Sequence, residues 1–182
     1  MIGRYAKVTE RILMGEAITC GGLGAKVIGS LHISTPGEEM CLAASRSRTL
    51  VGPKSHKHQH LHLSVGGHAT LWWEEYNQPL TMAMLDKVSD WYASFTSKQG
   101  KDLPVLVHCA DGRHRSPTIV AAILCHHHGW DLMDAIPHLT MCVSEYSPPA
   151  HILLNGEDLK TLTQWLTLRK PQPARQAKRN EK

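Results

Sequence analysis

The sequence lacks the long apolar stretch that a membrane-spanning helix needs. Such a helix requires about 20 consecutive apolar residues, and no segment of the 182-residue chain approaches that length. The N-terminus also lacks the positively charged stretch followed by an apolar one that marks a secretory signal. We therefore expect a soluble intracellular protein, with the cytoplasm as its compartment.

Cysteine is also scarce, and its spacing gives no sign of a disulfide framework. The chain has five cysteines, an odd number spread widely along its length, whereas small disulfide-rich domains carry even numbers of closely spaced cysteines. We therefore expect reduced thiols. Cys125 falls within an apolar helical pattern, which favours a small core residue over a second catalytic thiol.

Charge is unevenly distributed, because the basic excess is concentrated at the C-terminus. The net charge is +4, and the last fourteen residues, 169–182, are rich in Lys, Arg, Pro and Gln. That segment has almost nothing apolar to bury and is predicted to be a disordered tail. The chain is thus predicted to form one domain over 1–168 followed by a tail that solubilises it or contacts nucleic acid or an acidic membrane weakly.

Histidine is abundant, and a row of four histidines occupies alternate positions at 56, 58, 60 and 62. Alternate residues of a strand project to one face, so four imidazoles could meet a divalent metal. No carboxylate or thiolate adjoins the row in sequence, so we favour a polar strand face and expect neither a metal nor another cofactor. A second run, His126 to His128, is predicted to be the exposed end of a helix that stops at Gly129.

The hydrophobic patterns along the chain predict an α/β fold with a mostly parallel central sheet flanked by helices. Strands are predicted at 11–15, 25–33, 60–65 and 103–107, and helices at 79–98, after residue 116, in a short segment from 131, and after residue 156. The strand at 103–107 is apolar on both faces, which is typical of a strand inside a parallel sheet. Ligands of such sheets bind at the carboxyl ends of the strands.

The most informative segment is His108–Ser116, whose sequence is HCADGRHRS. It lies between the buried strand and a helical pattern, and Cys109 and Arg115 are six positions apart. In a strand-to-helix turn the backbone N–H groups can converge on one point, and the helix directs the positive end of its dipole there. An anion is therefore expected at that point, and the same field favours the thiolate form of Cys109 as a nucleophile.

The other residues of this segment suit a phosphate site. Arg115 can form two parallel hydrogen bonds to a phosphoryl group, Ser116 is close enough to donate to the sulfur, and His108 is expected to hold the shape of the loop. The intervening residues would line the anion site: Ala110, Asp111, Gly112, Arg113 and His114. Positive charge on Arg113 and His114 would favour a substrate with more than one anionic group.

The pattern His-Cys-x-x-Gly-x-x-Arg-Ser resembles the signature loop of the cysteine-dependent protein tyrosine phosphatases, most closely the compact dual-specificity branch. A bare Cys-x5-Arg would be a weak signal, but the added His, Gly and Ser and the strand-to-helix context make it specific. The resemblance implies hydrolysis of phosphomonoesters through a phosphocysteine on Cys109. It also implies phosphotyrosine, phosphoserine or phosphothreonine of proteins as the first substrate class.

Three alternatives to a protein phosphatase remain open on the sequence alone. A phosphoinositide or an RNA 5′-phosphate could be the substrate of the same chemistry. The chain could also be a catalytically idle phosphate-binding module. A Cys-x5-Arg enzyme that handles sulfur or arsenate resembles the chain less, because those enzymes lack the flanking His and Ser.

The general acid is the point where the chain departs from the family pattern. Phosphatases of this family carry an aspartate on a mobile loop some thirty residues before the cysteine, but Asp86 and Asp90 fall inside a predicted helix. Glu75 lies 34 positions before Cys109, in the sequence Trp72-Trp73-Glu74-Glu75. We therefore predict Glu75 as general acid and then base. The alternatives are Glu74, His68, and Asp111 or His114 of the loop.

Overall fold

The computed structural model describes residues 4–16, 29–34, 59–64, 80–96, 103–109, 111–146 and 156–169, together with Val27, Ile152 and Leu154. Five strands and four helices lie in these ranges. They are β1 (Tyr5–Thr9), β2 (Ile12–Glu16), β3 (Gly29–Ser34), β4 (Gln59–Ser64), α1 (Met82–Thr96), β5 (Val105–Cys109), α2 (Arg115–His128), α3 (Leu132–Tyr146) and α4 (Gly156–Leu168).

The five strands form one sheet in the order β1-β2-β5-β3-β4. β5 pairs in parallel with β2 and with β3, and β3 pairs in parallel with β4. Only β1, among these strands, is antiparallel to its neighbour β2. The predicted α/β fold with a mostly parallel sheet is therefore confirmed, although β1 itself was not predicted.

β5 is the central strand, and all five of its residues are buried. Its apolar sequence suits a strand with neighbours on both edges and helices over the sheet. It ends at Cys109, two residues beyond the predicted end. The parallel register places Cys109 beside Glu16, the last residue of β2, so the nucleophile candidate lies at the carboxyl edge of the sheet.

The helix that follows the candidate loop, α2, is the most enclosed of the four. Every residue from Arg115 to His126 is buried, because α2 packs on β2 and β5 and contacts the other three helices. It stops at Gly129, which has a left-handed φ of 70°, and the Trp130 N–H donates to the Leu124 carbonyl at 3.2 Å. The predicted stop at Gly129 is confirmed, and Cys125 is a buried core residue as predicted.

Several other boundaries differ from the sequence prediction, and the largest differences are at β3 and α3. β3 begins at Gly29 rather than at residue 25. α3 has 15 residues and is not short. Its start is where the sequence predicted it, and Asp131 Oδ1 accepts the Met133 N–H there at 2.8 Å. The predicted tail residue Arg169 donates to both carboxylate oxygens of Asp86, at 3.0 and 2.7 Å, and residues 170–182 lie outside the described part of the chain.

The predicted exposure of His126, His127 and His128 is wrong. His126 is only 6% exposed and packs against the Trp165 ring with centroids 4.9 Å apart. His127 Nε2 is 3.0 Å from the Ser89 hydroxyl, and His128 Nε2 is 2.7 Å from the Tyr92 hydroxyl. The three rings are half-buried or buried because α1 and α4 cover this end of α2.

Burial has an electrostatic consequence for these histidines, since a buried imidazolium loses hydration. Burial lowers the pKa of all three, and the pKa of His127 falls to about 4. In the unfolded chain a histidine titrates near 6.5. Between about pH 6.5 and 4 the unfolded chain therefore binds protons that the folded protein excludes.

We expect the free energy of unfolding to fall as the pH drops through this window, because proton uptake favours the unfolded state. The measurement is urea unfolding at a series of pH values, with wild type beside His127→Gln. The variant should lose less stability over the same window, because glutamine at position 127 takes up no proton when the chain unfolds. Parallel pH profiles for the two proteins would contradict the assignment to His127.

Candidate active site

Cys109 lies where the sequence placed it, at the end of a buried strand and the start of a loop. Its side chain is fully buried. The sulfur is 3.3 Å from the Ser116 hydroxyl, with either atom able to donate. Ser116 is the second residue of α2, so the sulfur faces the N-terminus of that helix, where the helix dipole favours negative charge.

Arg115 is buried at the same edge of the sheet. It is the first residue of α2 and only 1% exposed. Its Nη1 donates to the Ile33 carbonyl at 3.2 Å, near the carboxyl end of β3. This contact ties the guanidinium to β3, the strand beside β5, so a planar cation rich in donors lies at the same edge of the sheet as Cys109.

Asp111 lies on the solvent-exposed side of the loop. Its Oδ1 accepts the Arg113 N–H at 3.2 Å and lies 3.9 Å from the sulfur of Cys109. Its Oδ2 is 3.7 Å from Arg113 Nε, and both side chains are about 40% exposed. A carboxylate oxygen thus accepts a loop amide beside the nucleophile, which shows that this amide can bind an anionic oxygen.

Gly112 is held between two other parts of the chain. Its φ is +73°, a conformation that glycine adopts without strain. A Cβ at this position would lie 2.8 Å from the Tyr146 hydroxyl and 3.0 Å from the backbone of Gly15. The loop can therefore approach β2 and α3 this closely only because residue 112 has no side chain.

His114 does not carry the positive charge that the sequence suggested. It is 6% exposed, and burial, together with the neighbouring Arg115, lowers its pKa to about 4. The ring is therefore neutral at neutral pH. Its backbone carbonyl accepts the Thr118 hydroxyl at 3.1 Å in the first turn of α2, which gives His114 a place in the helix start.

Of the remaining predicted site residues, the structure describes only some. His108 is fully buried within β5. Ala110, Glu75, Glu74 and His68 lie outside the described residues, as do His56 and His58 of the histidine row, while His60 and His62 belong to β4. Among the described residues no group of three or more His, Cys, Asp or Glu side chains could hold a metal ion.

Three parts of the site were missed by sequence reasoning. They are the Tyr146 hydroxyl, the Gly15 backbone and the Ile33 carbonyl, and each reaches the loop from a distant point in the chain. Gly15 had a usable signal, because a glycine near the end of a strand often marks a close backbone approach. Tyr146 and Ile33 had none, since a helical tyrosine and a strand isoleucine are ordinary core residues.

The arrangement is a buried thiol and a buried guanidinium at the carboxyl edge of a parallel sheet, joined by a loop that runs into a helix. Solved structures share the fold that holds this arrangement, across nearly the whole chain. PTPMT1 is 23% identical, with a TM-score of 0.59 over 89% of this chain and 93% of that one, and it has also been solved in complex with PI(5)P. The chain has the fold of the cysteine-dependent protein tyrosine phosphatases.

Two further phosphatase structures agree with this fold. Human DUSP28 is 20% identical, with a TM-score of 0.58 over 90% of this chain and 93% of that one. Tk-PTP in its active form is 15% identical, with a TM-score of 0.64 over 91% and 97%. No family model and no curated protein matches the sequence, so the likeness is one of fold. None of the described helices is long and apolar enough to cross a membrane.

The tight fit at Gly112 can be tested against a second glycine that has the same backbone conformation. Gly112→Ala should lower turnover of a phosphomonoester by about tenfold or more, which corresponds to roughly 1.4 kcal/mol, because the new methyl group displaces Tyr146 or Gly15. Gly129→Ala is the matched control: its φ is +70°, but its Cβ would meet nothing within 4 Å.

Both variants should lose about 1–2 kcal/mol of stability from the left-handed conformation, measured by urea unfolding. Only Gly112→Ala should also lower the turnover of the folded protein. Equal activities of the two variants would contradict the close approach at the loop.

Proposed function

We propose that this protein is a phosphatase that hydrolyses phosphomonoesters through a phosphocysteine on Cys109. The observation that carries the proposal is the position of the Cys109 sulfur, which is buried, 3.3 Å from the Ser116 hydroxyl and at the N-terminus of α2. Arg115, tied to β3, supplies a buried cation at the same edge. The shared fold with known phosphatases supports the same conclusion.

The chemistry divides into two steps. The thiolate attacks phosphorus, the P–S bond forms and the P–O bond to the leaving group breaks, while a general acid gives its proton to the leaving oxygen. Water then attacks the phosphocysteine and gives a proton to the same group, which now acts as a general base, while the S–P bond breaks and phosphate and the thiolate are released. Arg115 and the loop amides would stabilise the charge on the phosphoryl oxygens, and the Ser116 hydroxyl would donate to the departing thiolate.

A phosphoprotein is the substrate class that we propose first. The loop carries less positive charge than its sequence suggested, because His114 is neutral and Arg113 is paired with Asp111. Such a loop gives little extra attraction to the additional anionic groups of a lipid headgroup or an RNA end, so its charge does not favour them over a single phosphorylated side chain. A phosphoinositide stays the second candidate, since PTPMT1 has been solved in complex with PI(5)P.

Replacement of the nucleophile should abolish turnover. Cys109→Ser is expected to lower hydrolysis of para-nitrophenyl phosphate by about 10⁴-fold or more, because a hydroxyl is a far weaker nucleophile in this site. The measurement is initial rate against substrate concentration. Cys125→Ser is the matched control, since Cys125 is equally buried in the core but lies within α2.

The outcome also separates a phosphatase from an idle phosphate-binding module. Turnover that is lost in Cys109→Ser and kept in Cys125→Ser supports the proposal. If the wild-type protein binds orthovanadate but shows no turnover of any phosphomonoester, the module is the better description.

We also propose Glu75 as the general acid, because it is the carboxylate at the family's usual distance before the cysteine. Glu75→Gln should flatten the basic limb of the pH and rate profile and lower turnover of substrates with poor leaving groups by about 10² to 10⁴. The neighbouring Glu74→Gln is the control.

Asp111→Asn gives the competing outcome, because Asp111 is the described carboxylate beside the sulfur. If the basic limb disappears in Asp111→Asn and persists in Glu75→Gln, the acid is in the loop and the assignment to Glu75 is wrong. His114 is a poor candidate, since its lowered pKa leaves it without an acidic proton at neutral pH.

A further inference from the structure

We propose that Tyr146, the last residue of α3, is a positioning residue that aims one amide of the signature loop at the phosphoryl group. It acts through the peptide unit between Gly112 and Arg113. The inference rests on the proposed function, because it assigns a role in binding the phosphoryl oxygens. Tyr146 lies outside the His108–Ser116 loop, so the inference adds a residue that the signature pattern does not contain.

The two ends of this peptide unit are both held. The Tyr146 hydroxyl donates to the Gly112 carbonyl at 2.8 Å. In a planar trans peptide the carbonyl and the following N–H point in opposite directions, so fixing the Gly112 carbonyl also fixes the direction of the Arg113 N–H. That N–H donates to Asp111 Oδ1 at 3.2 Å.

The N–H donates to an oxygen that lies near the nucleophile. The oxygen that accepts it, Asp111 Oδ1, lies 3.9 Å from the Cys109 sulfur. An oxygen of a phosphoryl group bound to that sulfur would need a donor in the same region. Tyr146 therefore holds an amide in the orientation that an incoming oxyanion requires, before the oxyanion arrives.

The surroundings of Tyr146 keep it in place as a donor. It is 6% exposed, its hydroxyl packs over Gly112, and a side chain at residue 112 would collide with it. Burial raises the pKa of Tyr146, and the nearby Cys109, Glu16 and Asp111 raise it further. The hydroxyl therefore stays protonated over the pH range in which the enzyme would work.

A second buried tyrosine makes a matched control. Tyr92 is 2% exposed, and its hydroxyl bonds to His128 Nε2 at 2.7 Å, between α1 and the end of α2. Tyr146→Phe and Tyr92→Phe each remove one hydroxyl from a buried hydrogen bond. Their costs in stability should be similar, but only Tyr146 contacts the loop.

The experiment compares orthovanadate inhibition, kcat and KM, and thermal unfolding of the wild type and the two variants. Tyr146→Phe should weaken orthovanadate binding by about three- to tenfold, as expected for one net hydrogen bond, with a matching loss in kcat/KM. Tyr92→Phe should leave both at wild-type values while its Tm falls by a similar amount.

The outcomes separate the inference from the proposed function. If both variants bind orthovanadate as the wild type does, Tyr146 has only a structural role and the inference is overturned. If both lose affinity in proportion to their loss in Tm, the effect is one of stability, which also overturns it. If the wild-type protein itself neither binds orthovanadate nor turns over phosphomonoesters, it is the proposed function that fails.

Discussion

The site depends on the close approach of the Gly15 backbone and the Tyr146 hydroxyl to Gly112 of the loop. The loop after β5 crosses the end of β2 at Gly15 and lies under the hydroxyl of Tyr146, with no space for a side chain at residue 112. Because the loop is confined from two sides, its carbonyl and amide groups have fixed directions. A loop of the same sequence without those neighbours would have the same functional groups but no defined cradle.

The electrostatics of the loop follow from the same confinement. Arg115 is buried and donates a hydrogen bond to the Ile33 carbonyl. Its positive charge is therefore held at the buried edge of the sheet. On the exposed side of the loop, the negative charge of Asp111 offsets the positive charge of Arg113, and burial keeps His114 neutral. The positive potential is therefore concentrated where one phosphoryl group would bind, and is weak where a second anionic group would lie.

The sequence was sufficient for the features that depend on local pattern. The apolar run before Cys109, the strand-to-helix turn at His108–Ser116 and the stop at Gly129 are each local, and the structure has them. The exposure of His126 could not be predicted, because Trp165, which covers it, is 39 residues away and a histidine triplet has no apolar signal of its own. Tyr146 was missed for the same reason, since its contact with Gly112 spans 34 residues.

The enclosure of α2 places Arg115, and the helix start that faces Cys109, on a part of the described structure that is packed on several sides. A helix that contacts the sheet and three other helices has amide groups that exchange with solvent only when much of the domain opens. Its N-terminus is therefore expected to keep one geometry whichever ligand is bound. In the phosphatase that we propose, selectivity would then depend on the exposed side chains of the loop, such as Asp111 and Arg113, which can differ between chains that use the same chemistry.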